Sequence, residues 1–175
     1  MFKIYDGDFH NQQFDNRTFW DNWPMLYILE NGKQAYIGES SHVKTRMTQH
    51  LSNAEKQVFR NAHFIYSKMF NQSVTFDYES KLIQYIAADQ VFEVTNKNNG
   101  IADKDYFEKQ IYDKQFVELW NTLHAKKLVK KSLEEIENTD LFKYSPYKEL
   151  NDEQRNAVET ILSEMEVGNT KRMIV

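Results

Sequence analysis

Five side chains in the first half of this sequence have types and spacings suited to binding an anion and moving protons. Tyr27 and Tyr36 flank an Asn-Gly pair, and Arg46 and His50 follow four residues apart, which stacks them on one side of a helix. A guanidinium binds oxyanions through paired N–H donors, and an imidazole titrates near neutral pH. Glu79 adds a carboxylate farther along the chain. These groups need a scaffold that brings them together.

The segment 25–40 predicts a β-hairpin. Asn31-Gly32 lies between two β-rich runs, and this pair favours a type I′ turn, in which both central residues have positive φ. With these two residues in the turn, Tyr27 would face Tyr36, and directly opposed residues share a face of the sheet. Gly38 would end the second strand, where a side chain would obstruct a ligand. The opposite face would be apolar and consist of Leu26, Ile28, Ala35 and Ile37.

A helix is predicted directly after this hairpin, from about residue 43 to residue 51. Ser40 or Ser41 would cap it. Arg46 and His50 would then lie beside its buried side and border the sheet edge where Gly38 ends. The buried stripe recurs at four-residue spacing and consists of Val43, Met47 and Leu51.

Glu79 lies within a predicted central amphipathic helix at 75–88. It precedes Leu82 by three residues and Ile83 by four, which places it on the side that packs inward. A buried carboxylate must be paired, protonated or bound to a cation. An internal ion pair, or a position turned toward the edge of the helix, is the structural alternative to a ligand-binding role.

The remaining segments predict packing elements around this region. Residues 61–68 and 92–95 have the pattern of strands, and 105–127 has that of a long helix with one apolar side. Lys126 and Lys127 belong to the densest positive cluster in the chain. Such a cluster is either a solvated helix end or a contact for a phosphate backbone.

Composition limits the class of protein. The chain has 175 residues with 41% hydrophobic and 14% aromatic residues, enough for one compact domain with a core. It has no cysteine, which excludes disulfides and thiolate zinc sites. The net charge of −4 argues against non-specific coating of nucleic acid. Without an apolar leader or a membrane-length run, we expect a soluble cytoplasmic protein with no membrane partner.

The motifs together resemble the GIY-YIG nuclease family. Tyr27 ends a degenerate first motif, Met-Leu-Tyr in place of Gly-Ile-Tyr, and Tyr36-Ile37-Gly38 matches the second motif. Arg46 in the next helix, Glu79 in a later helix and an asparagine after it follow in the family's order. The resemblance covers roughly residues 24–100. It implies a metal-dependent endonuclease that hydrolyses phosphodiester bonds in DNA, with branched DNA among the candidate substrates.

The resemblance also implies roles for individual residues. Tyr27 would be a general base or position the attacking water, and Tyr36 would orient water or phosphate. Arg46 would clamp the phosphate, and His50 would relay a proton or contact phosphate. Glu79 would hold one Mg²⁺ or Mn²⁺ ion, bound weakly without substrate.

Four further residues complete the predicted site. Asn96 matches the family asparagine that helps hold the site together, although a simple polar turn at 96–100 is the alternative. Gly38 and Arg46 would lie against nucleic acid, and the lysine cluster containing Lys126 and Lys127 would add phosphate contacts.

A second resemblance concerns the C-terminal residues. Segment 150–158, Leu-Asn-Asp-Glu-Gln-Arg-Asn-Ala-Val, is similar to the beginning of helicase-like P-loop ATPases, in which a glutamine binds adenine. In bacterial proteins of that kind a GIY-YIG domain can precede the ATPase. The last residues start a strand that stops, so we expect truncation, with the phosphate-binding loop following Val175. ATP would be a partner only of the longer parent protein.

The predicted architecture is α/β (α+β), with a small, mainly antiparallel sheet of three to four strands flanked by helices and a C-terminal helical extension. The predicted units are an aromatic-rich extension packing on the core at 1–23, a nuclease core at 24–100, a helical extension at 101–140, and a linker with the ATPase-like start at 141–175. Two alternatives for function stay open: a catalytically inactive scaffold that recruits nucleic acid, and a protein-interaction module. The sequence makes no prediction about oligomeric state.

Overall fold

A computed structural model describes residues 2–97 and 105–139, together with Phe142, Thr160 and Ile161. The strands are β1 Lys3–Asp8, β2 Met25–Glu30, β3 Gln34–Ser40, β4 Asn61–Tyr66 and β5 Glu93–Val94. The α-helices are α1 Phe19–Asn22, α2 Val43–Leu51, α3 Gln72–Asp89, α4 Lys109–Ala125 and α5 Leu133–Glu137, and a short 3₁₀ helix spans Ala54–Lys56. Apart from those three single residues, the predicted ATPase-like segment at 141–175 lies outside the described residues.

The five strands form one mixed, mostly antiparallel sheet in the order β1, β4, β2, β3, β5. β5 runs parallel to β3, and the other three pairings are antiparallel. All six residues of the central strand β2 are buried, as its apolar sequence requires. The predicted α/β class and mainly antiparallel sheet are confirmed. The sheet has five strands rather than three or four, because both β1 and the short β5 join it.

The hairpin of β2 and β3 forms, but the predicted register is wrong. Tyr27 pairs with Gly38 and Leu29 pairs with Tyr36, so the pairing has slipped by two residues. Because side chains alternate with a period of two, this slip leaves every side chain on its predicted face. Tyr27 and Tyr36 therefore still share a face, as diagonal rather than direct neighbours.

The turn explains the slip. The Asn31 N–H donates to the Gln34 carbonyl at 3.1 Å, which leaves Gly32 and Lys33 as the central residues. Gly32 has φ of +82°, whereas Lys33 does not adopt positive φ. Glycine at the first central position is the requirement of a type II′ turn, not a type I′ turn. The Asn31 side chain accepts hydrogen bonds from the N–H groups of Lys33 and Gln34 and so brackets the turn.

Two hydrophobic layers cover the sheet. On one face, α3, α4 and α5 pack against side chains that include Leu26, Ile28, Ile37 and Ile65. On the other face, α2 and the N-terminal segment enclose a second cluster that includes Met25, Tyr27, Leu29, Phe64 and Trp20. The aromatic N-terminal residues thus contribute both an edge strand and part of this second layer.

Helix α3 begins earlier than predicted. The pattern predicted a helix at 75–88, but α3 starts at Gln72. The Asn71 side chain accepts a hydrogen bond from the Val74 N–H at 3.0 Å, so Asn71 is the N-cap. The earlier start leaves Glu79 in the second turn of a helix of 18 residues.

Helix α4 is shorter than the predicted 105–127, and its apolar side starts later. Phe107 lies within the predicted range but before the observed helix and is 86% exposed, and Ile111 is 48% exposed. Tyr112 and Phe116 begin the buried stripe instead. A capping box formed by Ser132 and Glu135 begins α5. Within the described residues, none of the helices has both the length and the apolar character needed to cross a membrane.

Candidate active site

Tyr27 is at the centre of the predicted site. Its hydroxyl lies 2.8 Å from His50 Nε2 and accepts a hydrogen bond from Arg46 Nε at 3.4 Å. The side chain has no solvent-exposed surface. Burial raises the pKa of Tyr27 above its ordinary range, the nearby Tyr36 raises it further, and Arg46 opposes this shift. The phenol is therefore neutral at neutral pH, which contrasts with the low pKa that a general base would need.

Tyr36 is the more accessible of the two phenols. It is partly exposed, and its ring centroid lies 6.3 Å from that of Tyr27 and 5.4 Å from that of His50. Burial raises the pKa of Tyr36, whereas Arg46 and a hydrogen bond with Tyr27 lower it. A molecule arriving from solvent would therefore meet Tyr36 before Tyr27.

Gly38 has a different role from the predicted one. It lies within β3, opposite Tyr27, and an added Cβ would lie 2.2 Å from the Tyr27 hydroxyl. The missing side chain therefore makes room for the Tyr27 ring, and a contact of Gly38 with nucleic acid stays a prediction. This residue determines where the central phenol lies.

Helix α2 positions Arg46 and His50. Val43 and Met47 bury its inner side, as predicted, and Arg46 and His50 are one turn apart beside them. The predicted serine cap is wrong: the helix begins after His42 with no side-chain cap. Instead Ser40 Oγ, at the end of β3, accepts a hydrogen bond from the His42 N–H.

His50 is buried in the site, being only 5% exposed. Burial, together with the positive charges of Arg46 and Lys56, lowers its pKa to about 4. The imidazole is consequently neutral at neutral pH and is able to accept a hydrogen bond from the Tyr27 hydroxyl.

Glu79 approaches the same region from α3, on the other side of the sheet. Burial, together with the neighbouring carboxylate of Glu39, raises its pKa to about 7, although Arg46 opposes the shift. The charge of Glu79 also raises the pKa of both Tyr27 and Tyr36, so the carboxylate lies within electrostatic range of the two phenols. The sequence correctly indicated an inward-facing, half-buried carboxylate.

The donors at Glu79 suit one hard cation. Glu39 is also partly buried with a raised pKa, and its carboxylate accepts a 3.4 Å hydrogen bond from Thr75. Neither glutamate forms an ion pair within the part of the chain that the structure describes. Among these residues there is also no group of three or more His, Cys, Asp or Glu side chains placed to hold a metal. Carboxylate oxygens with water in the other positions match the coordination of Mg²⁺ or Mn²⁺.

Asn96 fastens strand β3 rather than facing the phenols. Its Oδ1 accepts a hydrogen bond from the Ile37 N–H at 3.0 Å, and its Nδ2 donates to the Ile37 carbonyl at 2.8 Å. The side-chain amide thus continues the pairing of β5 with β3 by one further residue. Ile37 lies between Tyr36 and Gly38, so Asn96 holds the strand that carries both.

Lys126 and Lys127 are not brought to this site. They follow the C-terminus of α4, where Lys126 forms an ion pair with Asp6 of the edge strand β1. β4 and β2 separate β1 from β3, so this pair lies on the side of the sheet away from Tyr36. A phosphate contact by these lysines stays a prediction, and it would have to be made far from the central phenol.

Lys56 is a member of the site that the sequence did not indicate. Its Nζ lies 3.1 Å from the centroid of the Tyr36 ring. The residue is ten positions beyond Arg46 in a polar, irregular segment, where no periodicity distinguishes it from surface lysines. Only the path of the chain after α2 brings it over β3.

Comparison with known proteins agrees with this arrangement. Residues 24–91 match the family model of the GIY-YIG catalytic domain, and the match includes both tyrosines, Arg46, His50 and Glu79. The chain matches no curated protein and no solved structure. Residues 24–91 are therefore similar to the GIY-YIG catalytic domain, and this similarity implies phosphodiester hydrolysis of the nuclease type on a nucleic-acid substrate.

Proposed function

We propose that residues 24–97 form a divalent-metal-dependent endonuclease domain that hydrolyses phosphodiester bonds in DNA. One observation carries the proposal: the Tyr27 hydroxyl is held between His50 Nε2 and Arg46 Nε, at 2.8 and 3.4 Å, with the charge of Glu79 in range. A guanidinium, a phenol and a half-buried carboxylate are the groups needed to bind a phosphate and a hard cation side by side.

Arg46 and Tyr36 would contact the scissile phosphate. Arg46 presents parallel N–H donors that pair with two phosphate oxygens, and these donors stabilise the charge that grows on the oxygens in the transition state. The partial exposure of Tyr36 supports a direct contact with phosphate or with the attacking water. Their common neighbour, Tyr27, would fix the positions of both.

Tyr27 is proposed as a positioning residue rather than as the general base. Its hydroxyl is buried, and its pKa is raised, so a phenolate would be costly at neutral pH. With Arg46 donating to the oxygen and the oxygen in turn donating to neutral His50, both hydrogen-bonding directions of the hydroxyl are used.

Glu79 would hold one Mg²⁺ or Mn²⁺ ion, with Glu39 close by. When bound, such an ion would stabilise negative charge on the phosphate and lower the pKa of a coordinated water. A single carboxylate with several waters makes for weak binding in the absence of substrate.

The proposal also includes a longer protein to which this domain would belong. The similarity of segment 150–158 to helicase-like ATPases supports a longer bacterial parent protein in which this domain would act beside a DNA motor. Sequencing the parent reading frame tests this directly: a Gly-x-x-x-x-Gly-Lys-Ser/Thr element within a few codons of Val175 is expected, and its absence would remove the ATPase from the account.

Nicking of supercoiled plasmid and cleavage of branched DNA, with Mg²⁺ or Mn²⁺, test the nuclease activity. Arg46→Lys should lower the cleavage rate by about 100-fold, because an ammonium does not reproduce the paired donors of a guanidinium. Arg60→Lys is the matched control, since Arg60 is exposed and lies outside the site. Equal cleavage by wild type and Arg46→Lys would contradict the proposal. Binding of DNA without any cleavage would favour an inactive recruitment scaffold.

A further inference from the structure

Lys56 occupies a position over the accessible phenol of the site. It ends the 3₁₀ helix Ala54–Lys56, which is capped by the Asn53 side chain through the Glu55 N–H. From there its Nζ lies 3.1 Å from the centroid of the Tyr36 ring and 5.7 Å from that of Phe59. A cation over an aromatic face is attracted by the electrons of the ring, so Lys56 is held against Tyr36 rather than extended into solvent.

No carboxylate in the described residues forms an ion pair with this ammonium. The nearest acid in sequence, Glu55, directs its carboxylate to Lys97 Nζ at 2.9 Å instead. Partly buried ammonium groups normally have an anionic partner. Lys56 is therefore a positively charged hydrogen-bond donor next to the side chains proposed to bind phosphate. It has no ion-pair partner among the described residues.

The groups around Lys56 favour release of its proton. Burial, together with the positive charges of Lys97 and Arg46, lowers the pKa of Lys56 to about 8, although Glu55 opposes the shift. His50 and Tyr36 also face this region, the first neutral and the second with a raised pKa. Arg46 keeps its proton at every working pH. Of the two cations at the phenols, Lys56 is the one able to give up a proton.

We propose that Lys56 is a catalytic residue of this site, the general acid that protonates the leaving oxygen of the cleaved phosphodiester. The inference rests on the proposed nuclease function. As the bond from the water oxygen to phosphorus forms, this oxygen releases a proton to solvent, and the bond from phosphorus to the leaving oxygen breaks. The departing oxygen takes a proton from Lys56 Nζ, which becomes a neutral amine and is protonated again by solvent.

Substrates that differ only in the leaving atom test this role. Cleavage of a DNA oligonucleotide is compared with cleavage of versions in which sulfur replaces either the 3′ or the 5′ bridging oxygen, because a thiolate leaves without protonation. Lys56→Met should cleave the oxygen substrate about 100-fold more slowly than wild type, within the range for general acid catalysis. On one of the two sulfur substrates it should be within about threefold of wild type. That recovery would also establish that the variant is folded.

Two further variants distinguish proton donation by Lys56 from an effect of its positive charge alone. Lys56→Arg keeps the positive charge but does not release a proton, so it should be as slow as Lys56→Met on the oxygen substrate. Lys114→Met, at an exposed position of α4, should resemble wild type. The wild-type rate should also decline as the pH rises through about 8, and this decline should be absent in Lys56→Met.

The possible failures are distinguishable. If wild type cleaves the oxygen substrate and Lys56→Met does so equally fast, the role of Lys56 is refuted and the nuclease function stands. Full activity of Lys56→Arg, or equal loss on the oxygen and both sulfur substrates, would likewise refute proton donation. If wild type cleaves none of the substrates, the proposed function itself fails.

Discussion

At the scale of single residues, the site depends on a close fit between one phenol and one glycine. Tyr27 has no exposed surface, and its ring lies over Gly38 on the neighbouring strand. A Cβ at position 38 would lie 2.2 Å from the Tyr27 hydroxyl and 2.3 Å from Cζ, much closer than any real carbon contact. Packing within the protein therefore explains the glycine of the second motif, Tyr36-Ile37-Gly38.

Gly38→Ala should lower the free energy of unfolding by about 2 kcal/mol, because the ring and the strand must separate to admit a methyl group. Displacement of Tyr27 should also slow DNA cleavage. Chemical denaturation monitored by circular dichroism measures the stability. Gly7→Ala is the matched control on β1, where an added Cβ meets nothing within 4 Å. An alanine variant at 38 as stable as the one at 7 would contradict the packing role.

The residue types were predictable, whereas their exposure was not. The period of two in a strand was enough to place Tyr27 and Tyr36 on one face, and helical spacing was enough to turn Glu79 inward. Which phenol faces solvent depends on how the N-terminal segment and α2 cover the sheet. Lys56 was missed for the same reason. It lies in the short 3₁₀ helix after α2, and its contact with Tyr36 depends on how this helix lies against β3.

At the scale of elements, β3 must be held in place because it carries Tyr36 and Gly38. Its own pairing with β5 covers only two residues, Gln34 and Ala35. Asn96 extends that attachment by bonding both the N–H and the carbonyl of Ile37. The Asn96 side chain thus takes the place of a third β5 residue paired with β3, directly beside the candidate active site.

Asn96→Asp should destabilise the fold by about 1 to 3 kcal/mol, because a carboxylate accepts from the Ile37 N–H but repels its carbonyl oxygen. Cleavage should slow at the same time, since β3 positions Tyr36. Thermal unfolding and plasmid nicking measure the two effects. Asn121→Asp, on the exposed side of α4, provides the same change of charge without these contacts. Equal behaviour of the two variants would show that Asn96 does not hold β3.

The sequence pattern predicted helices and strands better than the turn, register and caps that connect them. The strand and helix patterns located β2, β3, α2 and most of β4 and α3, because each has a clear apolar period. The hairpin register and the cap of α2 were wrong, since they depend on which polar side chain bonds which N–H. Asn31 brackets its turn and Asn71 starts its helix, choices that the residue types alone leave open.

At the scale of the whole molecule, positively charged side chains without ion-pair partners in the described part of the chain lie at the candidate active site of an acidic protein. The chain has a net charge of −4, yet Arg46 and Lys56 lie together beside Tyr36 without carboxylate partners among the described residues. Lys126, by contrast, is neutralised by Asp6 near the other edge of the sheet. Such a molecule would bind a nucleic acid weakly in general and engage one phosphate strongly. The proposed catalysis would then also depend on Glu79, which lies within electrostatic range of Arg46.

The initial rate of plasmid nicking in Mn²⁺, measured side by side for wild type, Glu79→Gln and Glu118→Gln, tests the nuclease assignment most directly. Glu118 is an exposed glutamate of α4 and controls for the chemical change. The account predicts that Glu79→Gln is at least about 100-fold slower than wild type at every Mn²⁺ concentration, because the amide lacks the charge that holds the ion. Glu118→Gln should nick at the wild-type rate. Equal nicking by all three proteins would contradict the account.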